Sequence, residues 1–517
     1  MKIYLKYIAM SVLVLGTSAC SEEKLLDLTP IDNISIEEAF STPSLIESSI
    51  NGVYNAAAIG QYNTTNPNGG RGFVWGAAFV QQGDNRGEDV VNIQTFYAIT
   101  YTSTYDAGSA NNTYYWVDAY RLINRCNLAI EGVTTAVSNG IITQAVADNY
   151  IGQAKFLRAI THFELLTYFA RPYNFSAGAG HLGIPYREVG VNTQEEIESE
   201  LLKPRNTVAE CYDKIIADLN AAESLTTNVS LTKASKNAAI AFKTRVYLHK
   251  RDWNNVITEG QKLNGAYTLT DTPNGPFANS YVNTESIFSI LMANTLNPGV
   301  NAALASQYKT RKLVSVSPII WRDPSWLSDD KRREENVLIE TVAGVKYTNK
   351  YKDGVNYTDA APVIRYAEVL LNMAEAYARR SSADASLSVA QLNKVRNRAL
   401  ANPTTQQYVL SQFLLSQTAL VEAIIKERRI EFLMEGRRWS DIHRLQGDDL
   451  VPIDGIPAKV GTGSLVAAGF VLDGTPYSGP KAEAAIPGSD FRFLWPIPLL
   501  ETNNNPTLKA QQNPGWE

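Results

Sequence analysis

Glu427, Glu431 and Glu435 stand four residues apart, beside Arg428, Arg429, Arg437 and Arg438. On one continuous helix these three carboxylates would share a face. Two chemistries fit that pattern. Paired carboxylates flanking a glycosidic bond perform acid–base hydrolysis. Alternatively, cations from neighbouring helices, such as Arg365 or Arg396, neutralise a row that would otherwise disfavour its own helix. The ion-network reading is preferred, because neither catalytic candidate occupies a loop; Glu368 and Glu375 read the same way. Gly178 to Gly183 match G-x-G-x-x-G, but the run follows a helical pattern and leads into Ile184-Pro185. A dinucleotide site needs a strand before that turn and a helix after it. No H-E-x-x-H, G-x-S-x-G or P-loop pattern occurs. His162 reads as a core histidine, and no second histidine or cysteine stands at ligand spacing, so zinc is not expected. Nothing marks an oxygen-ligated calcium in the Asp/Asn-rich loops. Neither metal nor cofactor is expected.

Loop aromatics suggest a different chemistry. Sugar rings present C–H faces to Trp and Tyr, while their hydroxyls need planar polar partners nearby. One such group is Trp75 with Asp84, Arg86, Tyr97 and Tyr101; a second is Tyr281; a third is Trp321-Arg322-Asp323-Pro324-Ser325-Trp326. Each is also explicable as a loop anchor. The third group is the strongest ligand candidate, because two tryptophans in a polar, proline-containing loop need something to pack against.

Helices must position these loops. Apolar residues recur at three- and four-residue steps over 36–59, 114–133, 143–170, 206–224, 234–250, 252–264, 363–380, 386–400 and 417–436, with Asp252 as an N-cap. Long irregular stretches, 60–112, 174–204, 265–360 and 445–515, lie between them. Ala367, Leu371, Ala374 and Ala378 put small residues on a helix seam, resembling tetratricopeptide hairpins. The expected fold is mainly α: a tetratricopeptide-like array of helix pairs with a loop-rich second lobe. The 517 residues carry 47 Lys+Arg against 52 Asp+Glu, a formal charge of −5, which leaves no basic field for nucleic acid.

Residues 1–20 form a short positive start, an apolar run and Gly16-Thr17-Ser18-Ala19-Cys20. This resembles the signal and lipobox of bacterial lipoproteins, with Cys20 as the acylated first residue of the mature chain; Thr17 departs from the usual leucine. Ser21-Glu22-Glu23 resembles a surface-export signal. The expected location is the outer membrane, lipid-anchored and facing outward. Cys126 and Cys211 read as buried thiols, with a bridge between them left open.

An ordered set of segments resembles the SusD/RagB family of outer-membrane nutrient-uptake lipoproteins. It comprises Leu25 to Pro30, Ala154 to Ala159, Gly183 to Tyr186, Arg245 to Leu248, Ile364 to Leu371, Glu427 to Phe432, Glu435 to Arg438, Leu494 to Pro498 and Gln512 to Trp516. The resemblance implies a SusD-like N-terminal region over 21–230 and a C-terminal region over 231–517 with the insert 265–360. It further implies capture without catalysis: an oligosaccharide, or in some branches a peptide, is bound and passed to a SusC-like TonB-dependent transporter. A helical glycoside hydrolase is the remaining alternative.

If Trp321 and Trp326 carry the ligand, replacing both with Ala abolishes binding and leaves the thermal midpoint almost unchanged. A large fall in the midpoint assigns them to the core.

Overall fold

The structure is a computed structural model that describes residues 35–61, 70–227, 230–278, 282–294 and 299–516. Cys20, the Leu25 to Pro30 segment and Tyr281 lie outside the described residues. The principal helices before the insert are Pro43–Ala58 (α1), Ala77–Asn85 (α2), Ala110–Ser138 (α3), Gln144–Phe169 (α4), Gln194–Leu201 (α5), Val208–Leu225 (α6), Lys236–Lys250 (α7) and Trp253–Gln261 (α8). Those after it are Tyr366–Arg379 (α9), Ala385–Ala399 (α10), Gln417–Glu431 (α11) and Arg438–Arg444 (α12). The protein is mainly helical, as expected.

Local chemistry sets the helix ends. Thr143, Ser235 and Asp252 each accept from the backbone N–H three residues on, and Thr207 with Glu210 closes a reciprocal capping box. The turn between α7 and α8 is made by Arg251, whose φ of 61° ends the first helix directly before the Asp252 cap of the second. Successive helices then become neighbours: α1 packs on α3, α3 on α4, α4 on α6, α6 on α7, α7 on α8, α8 on α9, and α9 on both α10 and α11. Small side chains make the approaches close, since Ala367, Ala374 and Ala378 of α9 are all buried. One continuous apolar core runs through both halves, from Phe40 to Leu508.

The stretches without helical periodicity contain short antiparallel ladders. Val90–Asn92 (β1), Ser286–Ile290 (β2), Val314–Val316 (β3), Ile339–Val342 (β4), Val345–Thr348 (β5) and Ala361–Arg365 (β6) pair as β1 with β3, β2 with β6 and β4 with β5. Three expectations are corrected here. Ile364 and Arg365 belong to β6 rather than to a helix starting at 363. The 60–112 stretch contains α2, a helix buried along its whole length. The helix expected over 417–436 stops at Glu431, because Met434 and Gly436 take φ of 60° and 74° and turn the chain back. Gly436 is required there twice over. Its backbone conformation suits glycine, and a Cβ would lie 2.9 Å from the Val80 Cα of α2.

That turn carries Glu435 off the helix and into a buried charge network. Arg365 reaches Glu285 at 2.7 Å, Glu431 at 2.6 Å and Glu435 at 2.9 Å. Arg332 holds Asp330, Glu427 and Glu431, and Arg396 holds the other oxygen of Glu427. Arg398 binds both Glu285 and Glu431, while the Lys350 ammonium donates to Glu435 at 2.6 Å. Five cations and five carboxylates therefore balance within one cluster. Both arginines anticipated for the glutamate row, Arg365 and Arg396, are in it. Glu368 pairs with Arg245, and Glu375 with Arg379 and Arg444. Arg158 clamps Asp218 through two nitrogens at 2.8 and 2.7 Å. The thiols of Cys126 and Cys211 are free and buried.

Burial alone would raise the Glu431 carboxyl, but the guanidiniums of Arg398, Arg365 and Arg332 outweigh it and hold the group well below the usual carboxylate range. On acidification the unfolded chain therefore takes up this proton first, so the stabilisation is complete above about pH 4.3 and lost as pH falls below it. Glu431→Gln is expected to flatten this acid limb in urea unfolding followed from pH 7 to 3. Glu431→Ala at pH 7 is expected to cost about 3–5 kcal/mol, because three guanidiniums lose a shared counter-charge.

Candidate ligand site

Of the sequence-selected aromatics, Trp321 and Trp326 are the pair placed at a cavity. A short helix, Pro318–Trp321, starts at the Ser317 cap and ends at Arg322, so the next residues return across the surface of the insert. The loop closes at a 3-10 turn, Lys331–Arg333, capped by Asp330. Between them and the exposed stretch Val471 to Thr475 lies a cavity of about 200 Å³, lined by Trp321, Arg322, Asp323, Trp326 and Arg333. Arg322 fastens the outer wall, donating from Nη2 to Asp473 Oδ1 at 2.9 Å and to Thr475 Oγ1 at 2.5 Å.

The inner wall is rigid. The two indoles meet edge to face with centroids 5.4 Å apart, and the Trp321 Nε1–H donates to the Phe470 carbonyl at 2.9 Å. The Arg333 guanidinium lies over both rings, 4.5 Å from the centroid of Trp321 and 4.0 Å from that of Trp326. Its Nε donates to the Leu327 carbonyl and its Nη2 to the Trp326 carbonyl, which fixes the plane of the fork. Burial pulls the Arg333 pKa down to about 10, against the attraction of Asp330 and Asp323, so the group remains a cation at neutral pH. Asp323 is half-buried, with one oxygen accepting from the Ser325 N–H at 2.9 Å.

This geometry changes what the aromatics do. Trp321 and Trp326 are each 3% exposed, so their faces are spent on each other and on Arg333. They stiffen the wall; they are not open stacking platforms. The remaining described candidates are interior, and the expectation that they face a ligand is corrected for each. Trp75 packs on Phe79 and donates to Thr161. Asp84 accepts from the Tyr308 hydroxyl at 2.7 Å and from the Gly436 N–H at 2.9 Å, while burial pushes its carboxyl up to about 7. Arg86 stacks 3.8 Å from the Trp439 ring centroid and donates to the Phe493 carbonyl. Tyr97 is buried edge-on to Phe96, and Tyr101 donates to the Val460 carbonyl at 2.6 Å. These groups sit on or beside α2, whose burial explains all of the reassignments. His162 is a core residue, accepting from the Arg187 N–H at 3.2 Å and stacked on Tyr186.

Sequence reasoning missed Arg333 and the outer wall. The run Asp330-Lys331-Arg332-Arg333 next to two tryptophans was the available signal for the former. Nothing local distinguishes Val471 to Thr475 within a long polar stretch. A larger polar cavity, about 350 Å³, lies beside Phe277, Tyr351, Lys352 and Asp359. Its most buried cation, Lys350, is already saturated by the Glu431 and Leu433 carbonyls and by Glu435. The smaller cavity is the better candidate, because its fixed polar groups are not all used internally.

Comparison with known proteins places this architecture. The sequence model of the SusD family matches residues 242–516, and a model described as starch-binding, associating with outer membrane, matches 24–248. A SusD-like protein, P2, from Formosa agariphila is 27% identical over 495 residues, covering 85% of this chain and 90% of its own. A SusD superfamily protein from Bacteroides fragilis superposes with a TM-score of 0.72 at 27% identity, over 90% of this chain and 99% of its own. Another from Bacteroides thetaiotaomicron gives 0.71 at 22% identity, over 92% and 100%, which shows the shared fold.

Because the indoles are core, Trp326→Ala is expected to cost about 3–5 kcal/mol in urea unfolding. The half-buried Asp323→Asn is expected to change stability by less than about 0.5 kcal/mol, which makes it the cleaner binding variant.

Proposed function

This chain belongs to the SusD family, and from that premise we propose that it captures an oligosaccharide at the outer membrane and hands it to a SusC-like TonB-dependent transporter without chemical change. Cys20 serves as the lipid anchor. The observation that carries the capture reading is the cavity beside Trp321 and Trp326, which Arg322, Asp323 and Arg333 also line. Such a mixture of apolar wall and oriented polar groups suits a polyhydroxylated ligand. The starch-binding description of the model matching residues 24–248 supports the same class of ligand and the same membrane. Among the described residues no helix is long and apolar enough to cross a membrane.

Capture is favoured over hydrolysis by the state of the glutamate row. Glu427, Glu431 and Glu435 are buried and each is bound to a cation, so none is poised to protonate a leaving group. Binding that depends on a few oriented contacts at one cavity implies a Kd on the order of 10–1000 μM.

The test is calorimetric titration of the form lacking residues 1–20 against plant, host and microbial glycans, with chromatography of the mixture afterwards. Saturable heat with unchanged oligosaccharide is expected, and Asp323→Asn is expected to weaken it. Release of shorter products would overturn the reading in favour of a hydrolase. Silence across the glycans together with binding of peptides would change the cargo.

A further inference from the structure

The cavity beside Trp321 and Trp326 measures about 200 Å³, less than the roughly 300–1,000 Å³ of most small-ligand pockets. Room for an oligosaccharide therefore depends on a wall that can give way. The inner wall cannot, since both indoles are buried and Arg333 is tied to two carbonyls. The outer wall is built differently. Val471, Leu472, Gly474 and Thr475 line the cavity from a segment, 471–482, that has no regular secondary structure and is exposed along most of its length. Among the described residues, no backbone N–H or carbonyl of that segment joins a backbone–backbone hydrogen bond. Such a segment opens at little cost compared with packed helices and ladders.

Its ends are fixed. Phe470 is buried, and its carbonyl accepts from Trp321 Nε1 at 2.9 Å. At the other end Lys459 and Glu483 exchange two backbone bonds, at 2.9 and 3.1 Å. The Lys459 ammonium donates to the Asn85 and Tyr101 carbonyls at 2.7 and 2.6 Å, which pins this base to the end of α2. Between those points two holds remain. Tyr477 rests on the small apolar cluster of Val91, Tyr101 and Val460. Arg322 donates to both oxygens of Asp473, at 2.9 and 3.0 Å, and to the hydroxyl and carbonyl of Thr475. The Asp473 side chain is 51% exposed, and an ion pair so open to water is worth little. Val471 and Leu472 also line the cavity while 43% and 44% exposed, leaving apolar surface that gains cover when a ligand lies beneath it.

We propose that residues 471–482 form a flap over this cavity, held shut by the Arg322 clasp, and that an oligosaccharide enters only while the clasp is broken. The proposal rests on the reading of the cavity as the oligosaccharide site. The flap admits cargo with Arg322 released and retains it with Arg322 engaged again. Phe470 and Glu483 stay in place throughout, so the motion leaves the core untouched.

Two readouts test it on the form lacking residues 1–20. The first needs no ligand: trypsin cleavage after Lys481, an exposed residue of the segment, followed by mass spectrometry. Asp473→Ala breaks the clasp without altering a residue that lines the cavity. It is expected to speed that cut about two- to fivefold, the range an exposed ion pair allows, with cleavage elsewhere unchanged. The second uses the glycans that bind the wild-type protein. Arg322→Cys with Asp473→Cys, joined by a bis-methanethiosulfonate linker, holds the flap shut; Cys126 and Cys211 are buried and stay out of the reaction. The joined form is expected to bind on the order of tenfold more slowly than the same protein after reduction. If the reduced pair does not bind, because Arg322 itself lines the cavity, stopped-flow kinetics of Asp473→Ala decide instead. Association and dissociation are then expected to accelerate together with Kd nearly unchanged, whereas a lost ligand contact raises dissociation alone. Unchanged cleavage after Lys481, equal rates for the joined and reduced forms, or unaltered rates in Asp473→Ala would overturn the flap and leave oligosaccharide capture standing. No binding of any glycan by the wild-type protein would overturn capture and with it the role given to the flap, whatever the Lys481 cut shows.

Discussion

The five-by-five cluster of buried charges around Glu431 is the constraint on which the architecture turns. Apolar packing can hold one helix against the next, but it does not by itself fix where a long irregular insert sits on an array. Here Arg332 of the insert, Arg365 at the end of β6, and Arg396 and Arg398 of α10 converge on the same few carboxylates, among them Glu435 beyond α11. Such a cluster adds little net stability compared with well-packed hydrocarbon, yet removing any one partner leaves a charge stranded in a dry interior. Its effect is therefore specificity of arrangement: one register of the insert satisfies every member at once.

That arrangement extends to the cavity through one residue step. Arg332 points into the network and is held by Asp330, Glu427 and Glu431. Arg333 follows it in the same 3-10 turn and is directed the other way, onto the tryptophans. The orientation of the cavity wall is thus tied to that of the charge cluster. The cluster itself joins the two kinds of segment: Glu427, Glu431, Arg396 and Arg398 come from α10 and α11, while Glu285, Asp330, Arg332, Lys350, Arg365 and Glu435 lie outside the α-helices.

The fold was largely legible because most helices keep an apolar stripe on one side, and the α3, α4 and α6 patterns survive to within a few residues. The cap at Asp252 was legible from an acidic residue at a helix start, and Arg396 from its place on a helix, whereas Arg365 reaches the glutamate row from the end of β6. α2 was not. Gln81, Gln82, Asp84 and Asn85 make it look like a polar loop, while the structure buries every one of them against other elements. The end of α11 was hidden too, since the Glu-Arg spacing continues smoothly through a turn made by the φ values of Met434 and Gly436. At the site, composition pointed to Trp321 and Trp326. Whether an indole presents its face or only its edge depends on contacts distant in the chain, such as that of Trp321 with Phe470, 149 residues away, and periodicity carries no trace of them.

The two walls of the cavity are built with unequal firmness. The inner wall is bound into the interior; the outer wall, Val471 to Thr475, is exposed and fastened chiefly by Arg322 to Asp473 and Thr475. Insertions or exchanges in that outer segment alter the shape of the opening without disturbing a buried charge or a core indole. Such a design separates variation in the shape of the opening from variation in whether the protein folds.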